Sequence, residues 1–252
     1  MALPNFLIII GAQKAGTTWL AYQLRQHPDV FMPSREVHFF DSAGNFEKGL
    51  AWYEGHFEDA RGKRVIGEKT PEYCWVGGRG PGHLPEVHRN IHAALPEVRL
   101  IMILRNPVDR AVSHLTHLIR AGQVGPLERV DDLLVGRRRQ LVTDIGVIDR
   151  GRYVYQIAAF RELFDPRQLL VLVYEEDGSR AAPDGPREGL PVSRDRLLSS
   201  RARSGPETKR RGPHAPPAHS RLLRPAAPAP QLATRSMVQA VEGVSRRERD
   251  AR

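Results

Sequence analysis

Residues 11–18 read Gly-Ala-Gln-Lys-Ala-Gly-Thr-Thr and follow directly on the apolar run Phe6-Leu7-Ile8-Ile9-Ile10. Two glycines around one lysine, then two hydroxyl residues that can open a helix, form a pattern suited to a phosphate-type anion. Glycine lets the backbone turn tightly and present its N–H groups to an anion, and a helix N-terminus adds about half a positive charge. Lys14 supplies a full one. An ATP-type P-loop places its lysine immediately after the second glycine. Here Gly16 is followed by Thr17 and the lysine sits inside the loop, so the cradle is similar but its charge is displaced.

Three further groups of residues carry chemistry. Arg105 follows the apolar stretch 98–104, and Ser113 stands eight residues on, in the second turn of the expected next helix. A guanidinium and a hydroxyl there can hold one phosphate by charge-assisted hydrogen bonds; a capping arginine and a solvent serine are the plain alternative. The run Arg35-Glu36-Val37-His38-Phe39-Phe40-Asp41, if extended, puts Glu36 and His38 on one face. A carboxylate beside an anion pocket can take a proton from a hydroxyl, or it can simply pair with Arg35. Glu68 and Lys69 close another short strand, where Lys69 can bind an anionic group or stand solvated before a turn. His38 has no second His or Cys at ligand spacing, so a role in orienting or hydrogen bonding is expected rather than metal binding, and no metal is expected.

Alternating elements must position these groups. Strands are expected over residues 6–10, 65–68, 98–104 and 169–173, with a brief extended piece at 30–32. Helices are expected over 17–26, ended by Pro28, over 87–95, over 153–164, and as a surface helix over 46–57. A further helix starts at Asn106-Pro107, an N-cap followed by proline at the first helical position, and runs to about Arg120. This alternation predicts an α/β domain with a central parallel sheet in three layers, with ligands at the carboxyl ends of its strands.

Net charge divides the 252 residues in two. The chain carries +9, which suggests a polyanion binder. Residues 1–176 hold 22 basic and 21 acidic side chains, while residues 177–252 hold 16 and 8. Every aromatic residue precedes position 177. The expectation is therefore a near-neutral globular domain over 1–176 and a disordered basic tail over 177–252, apart from a short helix around 237–244. Without aromatics that tail is a poor single-strand binder, so no specific nucleic acid partner is expected. The single cysteine, Cys74, excludes an intrachain disulfide. No apolar run is long enough to span a bilayer, and no cleavable leader is evident. A cytoplasmic location is expected.

Together these segments resemble the PAPS-dependent sulfotransferase family. The loop over residues 11–18, with Trp19-Leu20, looks like the family's loop for the 5′-phosphosulfate. The stretch Arg99-Leu100-Ile101-Met102-Ile103-Leu104-Arg105-Asn106-Pro107-Val108-Asp109-Arg110-Ala111-Val112-Ser113 looks like its 3′-phosphate site. Arg-Glu-Val-His-Phe-Phe-Asp at 35–41 and Glu-Lys-Thr-Pro at 68–71 are similar to the heparan-sulfate glucosaminyl branch and its bacterial relatives, and Asp149-Arg150-Gly151-Arg152-Tyr153 matches in style. The resemblance covers about residues 5–176. It implies a P-loop-like fold and in-line transfer of a sulfuryl group from PAPS to a hydroxyl or amine of a glycan or small molecule. It implies that Glu36 takes the acceptor proton and that Lys14 neutralises charge on the bridging oxygen, with Lys69 and His38 beside them. Gly11, Lys14, Ala15, Gly16, Thr17, Thr18 and Trp19 would hold the 5′ end of the cofactor, and Arg105 and Ser113 its 3′-phosphate. The acceptor would meet the loops near 41–60 and 75–90.

The family continues past its last strand with helices and a basic, glycine-containing loop, and nothing after Glu176 resembles them. The expectation is that the text from about residue 177 comes from another reading frame. Two other functions fit parts of the pattern. One is a P-loop-like kinase, opposed by the lysine position and by the lack of a strand-end Asp for Mg²⁺. The other is an inactive nucleotide-binding remnant whose basic tail touches polyanions.

Overall fold

A computed structural model describes residues 5–178, apart from residue 79 and most of 126–138. Five strands, β1 (Phe6–Gly11), β2 (Val30–Phe31), β3 (Val65–Lys69), β4 (Arg99–Leu104) and β5 (Leu169–Val173), form one sheet in the order β2-β3-β1-β4-β5. Every pairing is parallel. All six residues of β1 are buried. Successive side chains of a strand point to opposite faces, so both faces of the sheet are covered and the three-layer expectation holds.

Helices supply the covers: α1 (Thr17–Arg25), α2 (Ala43–Phe46), α3 (Leu50–Gly55), α4 (Val87–Ala94), α5 (Pro107–Arg120), α6 (Arg139–Asp144) and α7 (Tyr153–Arg161). α1 buries Thr17, Leu20, Ala21 and Leu24, a stripe at three- and four-residue spacing. α5 begins as its sequence requires: the Asn106 side chain accepts hydrogen bonds from the N–H groups of Val108 (3.0 Å) and Asp109 (3.3 Å), and Pro107 takes the first helical position.

The expected surface helix over 46–57 is not formed. Two short helices, α2 and α3, stand there, separated at Gly49, whose φ is +79°. Tyr53 and Phe57 are buried in the core, where Phe6, Phe39 and Phe40 meet them edge-on or stacked at centroid distances of 4.8–6.1 Å. Aromatic anchoring on the sheet overrides the helical periodicity of the segment. α7 likewise stops at Arg161, although Phe164 is buried beyond its end.

Strand order locates the functional edge. From β1 the chain crosses through α1 to β2, on one side of the sheet. From β4 it leaves through α5 to β5, on the other side. The carboxyl ends of β1 and β4 are therefore neighbours from which the crossovers diverge, the place where open α/β sheets bind ligands. The expected tail over 177–252, its short helix at 237–244 and its origin in another frame fall, from residue 179 onward, outside the described residues.

Candidate functional site

Beyond β1 the chain passes through a loop that only glycine permits at two points. A Cβ on Gly11 would lie 2.3 Å from Cys74 Sγ and 2.8 Å from the carbonyl oxygen of Pro71. Gly16 has φ +92° immediately before α1, and a Cβ there would lie 2.8 Å from the Tyr174 ring. Between them Lys14 also takes a left-handed conformation, φ +68°. The Ala12 N–H donates to the Ile103 carbonyl of β4 (2.9 Å), and the Ala15 N–H closes the turn onto the Ala12 carbonyl (3.1 Å). Thr17 is buried, Thr18 is exposed and Trp19 packs against the core. Among the described residues no side chain caps α1, and its first turn holds no acidic residue. Its N–H groups and dipole thus remain available to an anion.

Arg105 meets this loop directly. Its Nη1 donates to the Lys14 carbonyl oxygen (3.1 Å), and its guanidinium lies 5.2 Å from the centroid of the Tyr174 ring. The Tyr153 hydroxyl grips the same residue from behind: it donates to the Arg105 carbonyl (2.9 Å) and accepts from the Arg105 N–H (3.4 Å). The Asn106 N–H donates to Glu175 Oε1 (2.7 Å), which ties the end of β4 to the turn after β5. Ser113 stands half-buried in the second turn of α5. The two anion sites read from the sequence are thus brought together at one sheet edge.

Glu36 and His38 reach that edge from the segment after β2. Glu36 Oε1 is hydrogen-bonded to Lys69 Nζ, and Glu36 Oε2 lies 3.3 Å from His38 Nε2. Lys69 Nζ also reaches Thr18 Oγ1 at 3.5 Å, so the same ammonium touches both the carboxylate and the anion loop. His38 Nδ1 is 2.9 Å from Asp41 Oδ2. The extended condition under which Glu36 and His38 would share a face is not met. His38 takes φ +52°, so its ring returns to Glu36 through a turn and not through strand alternation. Val37, Phe39 and Phe40 are buried, and enclosing each Phe contributes roughly 1.5–3 kcal/mol to holding the turn in place. The solvated reading of Lys69 fails, since its side chain is only 11% exposed.

Charges at the site are interlocked. Burial favours protonation of Glu36, but the hydrogen bonds from His38 and Lys69 and their charges outweigh it and hold its carboxyl below the usual value. Hydrogen bonds to Asp41 and Glu36 push His38 up to about 10 against its burial. At neutral pH Glu36 is therefore a carboxylate facing the His38 imidazolium, with Lys69 Nζ bonded to its other oxygen. Glu36, His38 and Glu72 bring potential ligand atoms within 4.8 Å of one another. Two of these three groups already pair with each other, His38 Nε2 with Glu36 Oε2 at 3.3 Å, and Lys69 bonds the other Glu36 oxygen.

Residue spacing alone does not single out a second, deeper cluster. Glu72 Oε1 accepts from Gln13 Nε2 of the anion loop (2.6 Å) and from Arg150 Nη1 (3.4 Å). Arg150 lies 4.1 Å over the Trp75 ring and donates from Nε to the Ile145 carbonyl (3.0 Å). Arg110 is fully buried and bonds the Val147 carbonyl. Burial, then the charges of Arg150 and Arg110, push the neighbouring His114 down to about 3. Burial raises the Glu72 carboxyl, with Arg150 opposing it. Arg110 and Arg150 fall inside the stretches 99–113 and 149–153, whereas Glu72 and His114 stand one residue beyond the stretches 68–71 and 99–113.

A parallel three-layer sheet with a glycine-lysine loop, an arginine joined to that loop, and a carboxylate-lysine-histidine cluster at the same edge defines a class of anion-handling transferase. The chain belongs to the sulfotransferase domain family, which it matches over residues 4–177. It is 42% identical over 106 residues to human heparan sulfate glucosamine 3-O-sulfotransferase 6, a stretch covering 42% of this chain and 28% of that protein. To the membrane-associated sulfotransferase kil1 of Dictyostelium discoideum it is 36% identical over 117 residues, 45% of this chain and 22% of that one. The matched stretches span less than a third of either relative. Among solved structures, a sulfotransferase from Alicyclobacillus acidocaldarius superposes with a TM-score of 0.57 at 28% identity, covering 71% of this chain and 76% of that chain. Among the described residues no helix is long and apolar enough to cross a membrane.

Proposed function

We propose that the chain moves a sulfuryl group from PAPS to a hydroxyl or amine of a glycan or small molecule, with a glycan hydroxyl favoured by the names of its heparan sulfate relatives. The observation that supports this reading is the hydrogen bond from Arg105 Nη1 to the Lys14 backbone carbonyl (3.1 Å), which joins the end of β4 to the glycine-lysine loop. The residues present suit such a donor. The uncapped start of α1 and Lys14 offer N–H groups and charge to its 5′ end, and Arg105 with Ser113 offers a guanidinium and a hydroxyl to a 3′-phosphate.

When bound, PAPS supplies the sulfuryl group, and the chain's side chains do the rest. Glu36, ionised at neutral pH, accepts the proton of the attacking hydroxyl as its oxygen bonds to sulfur. Lys14 stabilises the negative charge left on the phosphate oxygen as the old S–O bond breaks, so that adenosine 3′,5′-bisphosphate departs. Lys69, shared between Glu36 and Thr18, holds the carboxylate beside the loop. His38, braced by Asp41, holds the other carboxylate oxygen. The scheme requires no metal ion.

Transfer of label from PAPS to heparan sulfate tests the reading. Wild-type protein should transfer label, and adenosine 3′,5′-bisphosphate should compete far better than ATP. Glu36→Gln should keep bisphosphate affinity and lose roughly 10²- to 10⁴-fold in turnover, the usual range for a proton-transfer group. A Glu36→Gln protein with normal turnover refutes the assignment of the base, and equal competition by ATP refutes the donor.

A further inference from the structure

Glu68 is the last residue but one of β3, next to Lys69, and it is completely buried. Three hydroxyls donate to its carboxyl oxygens, Tyr53 at 2.7 Å, Thr70 at 2.8 Å and Tyr73 at 3.1 Å, and they oppose the burial that pushes this carboxyl up to about 7. Two of these oxygens serve a second purpose. Thr70 Oγ1 accepts from the N–H groups of Val37 (3.2 Å) and His38 (3.5 Å), and the Tyr73 hydroxyl oxygen accepts from those of Phe39 (2.9 Å) and Phe40 (3.4 Å). Four successive backbone N–H groups are thus held by two hydroxyls whose protons are both directed at one carboxylate. This stretch belongs to no strand or helix, so its amides draw on these side chains.

Polarity makes the arrangement directional. A hydroxyl has one proton and can point it either way. With both protons drawn to Glu68, the oxygens of Thr70 and Tyr73 present lone pairs to the backbone. Without that acceptor the protons are free to turn toward the amides and oppose them. The stretch so held carries His38 at φ +52°, a conformation a non-glycine residue keeps only when its surroundings impose it. Asn45 Nδ2 completes the clamp by donating to the His38 carbonyl (3.0 Å).

We propose that Glu68 is a positioning residue: through the hydroxyls of Thr70 and Tyr73 it fixes the backbone of residues 37–40, and so sets how Glu36 and His38 face the anion loop. This rests on the reading of Glu36 as proton acceptor, but the geometry it concerns can be measured without that chemistry. The groups facing His38 are Asp41 and Glu36, with Glu72 adding its charge from the turn after β3. Loss of the clamp loosens those contacts and lowers the proton affinity of the imidazole.

The test is NMR titration of His38 in the full chain, with label transfer from PAPS to heparan sulfate measured beside it. Calorimetry with adenosine 3′,5′-bisphosphate counts folded sites. In Thr70→Val and Tyr73→Phe the His38 midpoint should fall by about one pH unit or more toward the ordinary imidazole value. Turnover per folded site should fall roughly ten- to a hundredfold with bisphosphate affinity nearly unchanged, as misaimed groups imply. Thr70→Ser, which keeps the hydroxyl, should restore both quantities; a merely structural role would lower the yield of folded sites and leave the midpoint alone. An unchanged His38 midpoint in folded Thr70→Val and Tyr73→Phe overturns the inference whatever the acceptor. Wild-type protein that neither binds the bisphosphate nor transfers label overturns the donor reading instead, and the titration then decides the clamp by itself.

Discussion

Replacing Arg105 by alanine should weaken two ligands by different amounts, and the difference is calculable. In the structure Arg105 steadies the anion loop through the Lys14 carbonyl, at 3.1 Å. That hydrogen bond is partly solvated and contributes about 0.5–1.5 kcal/mol, or roughly a 2- to 12-fold loss for any ligand the loop holds. In the proposed complex the same guanidinium also meets a 3′-phosphate. A charge-assisted contact of this kind is worth about 2–3 kcal/mol, a further loss of roughly 30- to 150-fold confined to ligands that carry that phosphate. Calorimetry on wild type and Arg105→Ala, each with adenosine 3′,5′-bisphosphate and with adenosine 5′-monophosphate, separates the two effects. The monophosphate should lose only the smaller factor and the bisphosphate the product of both. Equal losses for the two nucleotides would mean that Arg105 only braces the loop, and the assignment of the 3′ site to this strand end would fall.

Three other outcomes follow from the same geometry. His38→Asn removes an imidazolium 3.3 Å from Glu36. After discounting for a carboxylate that is about one-third exposed, the lost attraction is about 1–2 kcal/mol, so the acid limb of turnover should move up by about one pH unit; a limb that stays or moves down refutes the pairing. Because the folded protein raises His38 to about 10, its contribution to stability is complete below the unfolded value near 6.5 and is lost as the pH rises toward 10. Melting curves of wild type and His38→Asn should therefore converge at the alkaline end and diverge at neutral pH. Asn106→Ala leaves two N–H groups at the start of α5 without their cap and should cost about 1 kcal/mol in urea unfolding; an unmoved midpoint would mean that water replaces the cap without loss.

The parts of the fold legible in the sequence are those fixed by short-range physics. β1, the glycine loop and α1 follow from an apolar run, two glycines and a leucine stripe within twenty residues. The start of α5 follows from one dipeptide. The nearness of Arg105 to Lys14 follows from topology once β1 and β4 are recognised as strands on which the crossovers diverge. The segment 35–57 is where local reading stops short. Its turn at His38 and its broken helices depend on hydroxyls of Thr70 and Tyr73 and on the ring of Phe6, all more than thirty residues away from the positions they act on. The buried pairing of Glu72 with Arg150 is of the same kind, joining residues 78 apart. A charged side chain reads as solvated in a sequence until its distant partner is placed.

The two helices that begin at the functional edge are finished differently, and the difference has a physical meaning. α5 satisfies its own first turn with Asn106, so that its start is complete without any ligand. α1 begins at a glycine in a left-handed conformation, has no acid in its first turn and, among the described residues, no capping side chain. Both helices arise from the same chain at neighbouring strand ends, so a lack of suitable residues does not account for the contrast. No capping residue fits at position 16: a Cβ there would meet the Tyr174 ring at 2.8 Å, and the left-handed backbone is not the extended one from which a side chain caps a helix. The uncapped start thus suits the proposed anion, which would take the place of a cap, with Lys14 in the same loop to add charge.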